Sequence, residues 1–290
     1  MLITGATGFI GARVVAELIR AGHSVPGLAR STEGAGQLAA MGAEVQSGAL
    51  EDLDVLRAGA AAADAVIHLG FVHDFSHFLK SCEIDRLAIE TLGGAMARSG
   101  KPLIVPNRLA GLKPPGQVAT ESDDVPANYP FPRVSEPAAL ALVSRGVRAS
   151  VVRLPQVHDA MKQGLITSLI AIARQKGLSA YVGEGRNRWA AAHISDVARL
   201  FRLVLESGEA GAKYHAVGEE GVELRAIAEA IGRRLGVPVM FLTPEEAPAH
   251  FGPYSMFVGQ DLMASSAITR ETLNWRPTGQ TLIADLERIA

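Results

Sequence analysis

The run Thr4-Gly5-Ala6-Thr7-Gly8-Phe9-Ile10-Gly11 constrains the fold more than any other stretch of this chain. Its glycines are spaced three apart. They follow the short apolar run Leu2-Ile3-Thr4 and precede a segment, Phe9 to Ala21, in which Val14, Val15, Leu18 and Ile19 share one helical face. Strand, glycine turn and helix in that order open a βαβ unit. In such a turn Gly5 permits the reversal, Gly8 lets a pyrophosphate approach the backbone, and Gly11 lets the helix start close to the strand. The N–H groups and positive dipole end of the helix start favour phosphate. The turn therefore predicts a dinucleotide held by Gly5, Thr7, Gly8, Phe9, Ile10 and Gly11.

The rhythm continues down the chain. Strands are predicted at residues 24–28, 44–46, 65–69, 103–105 and 149–154. Helices are predicted at 34–41, 54–62, 84–99 and 138–145. Most of the strands are short and continuously apolar, as in a parallel sheet buried on both faces. The pattern reads as an α/β fold, a Rossmann-type doubly wound parallel sheet with a smaller C-terminal α/β substrate cap. Residues 1–155 form the nucleotide domain, with 189–217 packing back onto it; residues 156–188 and 218–290 form the cap. In this later part helices are predicted at 165–176, 194–206 and 224–235, strands at 214–217 and 238–242, and a loop at 181–189. Residues 111–132 carry five prolines and read as a loop beside the site.

Composition narrows the function. The formal net charge is −2 with both signs mixed, which provides no field for nucleic acid or an anionic membrane. No apolar run is long enough to cross a bilayer, and no secretory leader is evident. A single cysteine, Cys82, allows no internal disulfide. These features point to a cytoplasmic protein acting on a small-molecule substrate. No metal-ligand spacing stands out among the histidines.

The choice of dinucleotide is read at the end of the second strand. An acid there would accept from the ribose hydroxyls of NAD. Here the stretch is Gly27-Leu28-Ala29-Arg30-Ser31. Arg30 can pair with a 2′-phosphate and Ser31 can add a hydrogen bond, so NADP(H) is preferred over NAD(H). Arg13 is a second candidate.

The Thr4–Gly11 loop resembles the N-terminal signature of the extended and atypical short-chain dehydrogenase/reductases. Three later stretches agree: Ala65–Gly70, Val152-Arg153-Leu154-Pro155, and His193-Ile194-Ser195-Asp196-Val197-Ala198. The resemblance is to the epimerase/dehydratase-like kind. It implies that Leu50, Leu69, Gly70 and Pro155 back the cofactor. It also implies a homodimer paired through helix 84–99. The chain departs from the family where its chemistry resides. The resemblance implies a Ser or Thr after the fifth strand and a Tyr-x-x-x-Lys on the next helix. Asn107 stands at the first position, and Pro132 and Glu136 align with the Tyr and Lys. Ala49 stands where an Asp often contacts adenine.

With the tyrosine lost, a substrate oxygen must be protonated or held by something else. The candidates at strand ends are Asn107, His73 beside Asp74, and His158 beside Asp159; Tyr129 in the proline-rich loop is another. Ser135 is a weaker acid near the lost tyrosine. His193 and Asp196 are read as fixing the junction of the two parts. Tyr181, Arg186, Arg188, Trp189, Phe251, Tyr254, Met256 and Phe257 are read as the substrate wall, suited to a lipophilic or aromatic molecule. The expected function is an NADP(H)-dependent oxidoreductase reducing a ketone or other C=X bond with a non-standard proton donor. The alternatives are a non-catalytic NADP(H) sensor and a nucleotide-sugar epimerase or dehydratase.

Overall fold

The computed structural model of the chain describes residues 1–74, 76–126 and 131–289. The first six strands are β1 (Leu2–Thr4), β2 (Pro26–Ala29), β3 (Glu44–Ser47), β4 (Val66–His68), β5 (Pro102–Arg108) and β6 (Arg148–Leu154). Between them run α1 (Phe9–Arg20), α2 (Thr32–Ala40), α3 (Leu53–Ala62), α4 (Phe78–Ala95) and α5 (Ser135–Ala141). The later elements are β7 (Gln156–His158), α6 (Ile166–Lys176), β8 (Ser179–Val182), β9 (Arg188–His193), α7 (Ile194–Ser207), β10 (Lys213–His215), β11 (Glu219–Glu223), α8 (Leu224–Leu235) and β12 (Val239–Leu242). Four short helices follow, α9 (Ala247–Phe251), α10 (Ser255–Val258), α11 (Ala267–Leu273) and α12 (Leu282–Leu286).

Seven strands form one sheet in the order β10-β6-β5-β4-β1-β2-β3, and all its pairings are parallel. The order reverses between β1 and β4, where Leu2, Ile3 and Thr4 face Val66, Ile67 and His68 in register. Crevices at such reversals, beyond the carboxyl ends of the strands, are where open α/β sheets bind ligands.

The strand residues alternate between two apolar layers as the pleat requires. Ile3, Ile67, Ile104 and Val152 join α1, α7 and Trp275 on one face. Leu2, Val66, Leu103, Val105 and Val151 join α3, α4 and α5 on the other. A third apolar cluster lies under α6, α8 and the two-stranded pair of β8 and β12, and it includes Trp189.

Several elements differ from the sequence reading. The second strand starts at Pro26 rather than Ser24. The long helix starts at Phe78 rather than Ile84 and ends at Ala95. Asp74 makes the early start possible, since its Oδ1 accepts from the backbone N–H groups of Ser76 and His77 in the turn that precedes α4. The stretch 181–189 is not a plain loop. It contains the end of β8 and the start of β9, and β9 lies between β7 and β11 in a three-stranded sheet. Ala190, Ala191 and Ala192 carry no strand propensity of their own, so this pairing is dictated by tertiary contacts. Among the described residues no helix is long and apolar enough to cross a membrane.

Candidate active site

The turn after β1 is built from backbone contacts that exclude side chains. Gly5 has φ +64°, and a Cβ there would lie 2.6 Å from the Gly70 nitrogen. A Cβ on Gly11 would lie 2.0 Å from the Gly5 carbonyl oxygen. Gly8 directly precedes α1, donating its N–H to Gly5 O at 3.0 Å, and no side chain caps the helix. No acidic residue occupies the first turn either, so the positive end of this 12-residue helix is left for an anion. Thr7 is exposed on the turn, and the Lys162 ammonium lies 5.6 Å from the centre of the Phe9 ring. Arg13 is an exposed cation near Asp159, at 3.7 Å.

At the end of β2, Arg30 is exposed and makes no ion pair among the described residues. Ser31 caps α2, its Oγ accepting from Gly34 N at 3.1 Å, which leaves its hydroxyl hydrogen for another acceptor. Gly70 follows β4 against Gly5 and donates its N–H to Thr4 Oγ1, and Leu50 lies under it. Leu69 donates its N–H to Thr4 O. Pro155 is half-buried between β6 and β7. The residues predicted around a cofactor thus lie along the carboxyl edge of the sheet, after β1, β2, β3, β4 and β6.

The other half of this edge is built from side chains. His68, at the end of β4, contacts Thr4 Oγ1 at 2.8 Å through Nδ1 and Asp85 Oδ1 at 3.3 Å through Nε2. The consistent assignment has the Thr4 hydroxyl donating to Nδ1 and the Nε2–H donating to Asp85. Ser135 donates to Asp85 Oδ2 at 2.5 Å. Arg133 donates from Nε to Ser135 Oγ at 2.7 Å and to Asp85 at 3.3 Å. Burial pushes the Asp85 carboxyl up, but His68, Arg133 and Ser135 outweigh it and hold it below its ordinary value. Ser135, read from sequence as a weak acid, therefore has its hydrogen committed to a carboxylate.

A second buried chain starts at Asn107, which sits as expected at the end of β5. Its amide donates to Glu136 Oε2 at 2.7 Å. Arg153 grips the same carboxylate with two nitrogens, at 2.9 and 2.5 Å, and donates from Nη1 to His215 Nε2. His215 in turn donates from Nδ1 to Ser265 O. Its pKa is pushed down to about 4, chiefly by burial. Glu136, expected from the resemblance at the Lys position, is buried and neutralises a strand arginine.

The expected histidine–carboxylate pairs are exchanged for others. Asp74 pairs with His77 at 2.9 Å rather than with His73. His73 stands against the Phe71 ring, and burial together with Arg133 and Lys162 lowers its pKa. It is therefore neutral at pH 7 and a poor source of a full proton. His158 is bonded to Asp285 Oδ2 at 2.7 Å rather than to Asp159, whose Oδ1 accepts from Met161 N and Lys162 N in a turn. His158 is fully buried beside His193, and burial lowers its pKa. Tyr129 lies outside the described residues. No group of three or more metal-ligating side chains stands together among the described residues.

The expected substrate wall disperses. Phe251 and Trp189 are core residues of the third cluster, with Tyr254 and Phe257 packed against it. Met256 is exposed, and Arg186 pairs with Glu184 in solvent. Tyr181 and Phe251 line a cavity of about 10 Å³, room for one water and no substrate. Asp196 accepts from Thr278 N and Gly279 N, and its carbonyl accepts from Trp275 Nε1, so it ties the start of α7 to the segment after α11.

Aromatic residues gather instead beside Arg133. Its guanidinium lies 4.1 Å from the Phe71 ring centre, and that of Arg108 lies 3.7 Å from Phe131. Phe78 touches both rings. Sequence reasoning missed His68, Asp85 and Glu136 as partners. The available signal was a charged Arg153 inside an apolar strand, which demands a buried counter-ion. Tyr129-x-x-x-Arg133 also keeps the family's Tyr-to-Lys spacing with Arg in place of Lys.

Comparison with known proteins agrees with this architecture. The NAD dependent epimerase/dehydratase family matches residues 1–82. The chain is 46% identical over 288 residues to the uncharacterized protein C2A9.02 of Schizosaccharomyces pombe, covering 99% of this chain and 97% of that protein. It is 29% identical to a 4-hydroxy-2-methyl-3-oxo-4-farnesyl-3,4-dihydroquinoline-1-oxide ketoreductase of Stigmatella aurantiaca, over 86% of this chain and 78% of that protein. The crystal structure of DesIV, a dTDP-glucose 4,6-dehydratase from Streptomyces venezuelae with NAD and TYD bound, superposes with a TM-score of 0.77. It has 20% identity and covers 99% of this chain and 94% of that one.

Proposed function

Since the chain belongs to the epimerase/dehydratase-like short-chain dehydrogenase/reductases, we propose that it is an NADP(H)-dependent reductase of a ketone or other C=X bond in a lipophilic or aromatic small molecule. The observation that carries the cofactor choice is Arg30, an exposed cation at the end of β2 beside the spare hydroxyl hydrogen of Ser31, with no acid at that position. The turn at Gly5, Gly8 and Gly11 would hold the pyrophosphate, and Leu50, Leu69, Gly70 and Pro155 would back the rest. When bound, the reduced nicotinamide supplies the hydride. The three phenylalanines after β4 and β5 suit an apolar substrate body, and the name of the Stigmatella relative, a ketoreductase of a farnesylated quinoline oxide, supports the same class.

The chain's own residues would act on the substrate oxygen. Asn107 keeps one amide hydrogen beyond the one given to Glu136. The proton itself would come from water, since His73 is held below its ordinary pKa and already hydrogen-bonds the Phe71 backbone. A second reading, an NADP(H)-binding sensor without turnover, is favoured by the absence of Tyr-x-x-x-Lys and by the commitment of Ser135 to Asp85.

NADPH consumption by the purified protein, followed at the nicotinamide absorbance against aryl and alkyl ketones, tests the proposal. Turnover in the native protein and none in Gly8→Trp is the expected result. The added Cβ at Gly8 meets only Gly5 O, at 3.2 Å, so the variant should fold while its ring fills the phosphate position. Tight NADPH binding with a flat trace across the panel would move the assignment to the sensor.

A further inference from the structure

We infer that the aromatic group beside Arg133, near the ends of β4 and β5, is an anion-recognition site centred on Arg133, and that its ligand is an apolar carbonyl compound bearing a carboxylate next to the C=O group. This rests on the reductase reading for what happens after binding, and on the structure alone for the binding itself.

The geometry is that of a held guanidinium. Asp85 and Ser135 are buried and engage Nε and Nη2 of Arg133, at 2.7 to 3.4 Å. Phe71 lies under the guanidinium plane. The side chain keeps 20% of its surface exposed, and Nη1 makes no hydrogen bond among the described residues. An arginine fixed through Nε and Nη2, with Nη1 given to no described residue, is pre-organised for a planar oxyanion, with little rotamer freedom left to lose on binding.

The surrounding charges do not oppose an anion. His73 feels the charges of both Arg133, from the segment before α5, and Lys162, from the loop after β7. Arg108 lies against Phe131 in the same aromatic group. The nearby acids are already engaged, Asp85 from behind and Asp74 with His77 and the turn before α4. Phe71, Phe78 and Phe131 supply the apolar wall for the rest of the ligand. Phe71 directly follows Gly70, which touches Gly5, so the site adjoins the phosphate turn.

The test uses the protein with NADPH bound and phenylglyoxylate as probe, with methyl phenylglyoxylate as its uncharged counterpart, both read by calorimetry. The acid should bind tighter than the ester. Arg133→Met should weaken the acid by about tenfold to a hundredfold, the worth of a charge-assisted hydrogen bond, and leave the ester unchanged. NADPH affinity measured on the same variant shows whether its fold has survived. If it has not, Arg133→Lys takes its place, keeping the charge without the fork, and should weaken the acid alone by about tenfold. Equal affinity for acid and ester, no effect at Arg133, or no binding of the acid up to about 10 mM would each overturn the inference. NADPH consumption is scored separately: binding of the acid without consumption keeps the site and sinks the reductase, whereas consumption with neutral ketones only keeps the reductase and sinks the site.

Discussion

The two halves of the sheet's carboxyl edge are made in different ways. Around β1, α1 and β2 the site is a shape of the backbone: Gly5 against Gly70, Gly11 against Gly5, and an uncapped helix start. Around β4, β5 and β6 it is a set of side chains holding one another, Thr4–His68–Asp85–Ser135–Arg133 and Asn107–Glu136–Arg153–His215. The backbone half needs glycines at fixed local spacing and little else, so very different chains can share it. The side-chain half needs every member of its network, because each buried polar group depends on the next. It can therefore be rewritten as a whole while the glycine turn stays as it was, and no Tyr-x-x-x-Lys occurs in this sequence.

This contrast can be broken most forcefully at Glu136. Glu136→Ala leaves the fully buried Arg153 without its carboxylate and should cost about 3–5 kcal/mol. Urea unfolding would measure the loss, and a change under about 1 kcal/mol would mean that the network is not the support described here. NADPH affinity in the surviving folded fraction should hold, since the phosphate half is separately built.

A change of pH probes the same network more gently. His215 is held neutral, with its pKa pushed down to about 4 by burial, while Arg153, Glu121 and Glu136 are the charged groups around it. The unfolded chain takes up this proton near pH 6.5 and the folded chain does so only near pH 4. Stability attached to this group is therefore complete above about pH 6.5 and is lost as pH falls toward 4, by up to about 3 kcal/mol. His158, also lowered by burial, adds a slope of the same sign. Thermal melts from pH 7.5 to 4.5 should show native protein losing more than His215→Asn; parallel profiles would remove His215 from the account.

The smallest expected effect lies on the backbone half, where only the edge of the ligand is read by side chains. Arg30→Asp should weaken NADPH by about tenfold to a hundredfold and improve NADH, without altering the melting temperature by more than a degree or two. Titration of both cofactors by fluorescence checks it. An unchanged preference would place the 2′-phosphate elsewhere, with Arg13 and Lys162 as the next cations to remove.

The same division decides what could be read in advance. The strand–glycine turn–helix unit, the parallel sheet and the places of Asn107 and Arg30 at strand ends were legible, because the signal for each lies within a few residues. The partners of the polar groups were not. Arg133 and Ser135 reach Asp85 from 48 and 50 positions away, and His158 finds Asp285 across 127. Neighbouring in sequence suggested His73 with Asp74 and His158 with Asp159, but adjacent residues in a turn seldom point at each other. The aromatic wall was misplaced for a related reason. Phe251 and Trp189 belong to a cluster assembled by α6, α8 and β8, and no local pattern separates such packing from a pocket lining.

The seventh strand of the sheet carries a consequence for how the protein is made. β10 pairs with β6 through Lys213, Tyr214 and His215, after the chain has left the sheet and returned. During synthesis β6 must wait with an open edge, and Arg153 without its histidine, until the ribosome has released His215. A fragment ending at residue 155 would hold the whole phosphate turn and yet expose that unpaired edge permanently, so it is expected to self-associate rather than stand alone. The part of the sheet that carries the glycine turn is thus first in the sequence and among the last parts to be completed.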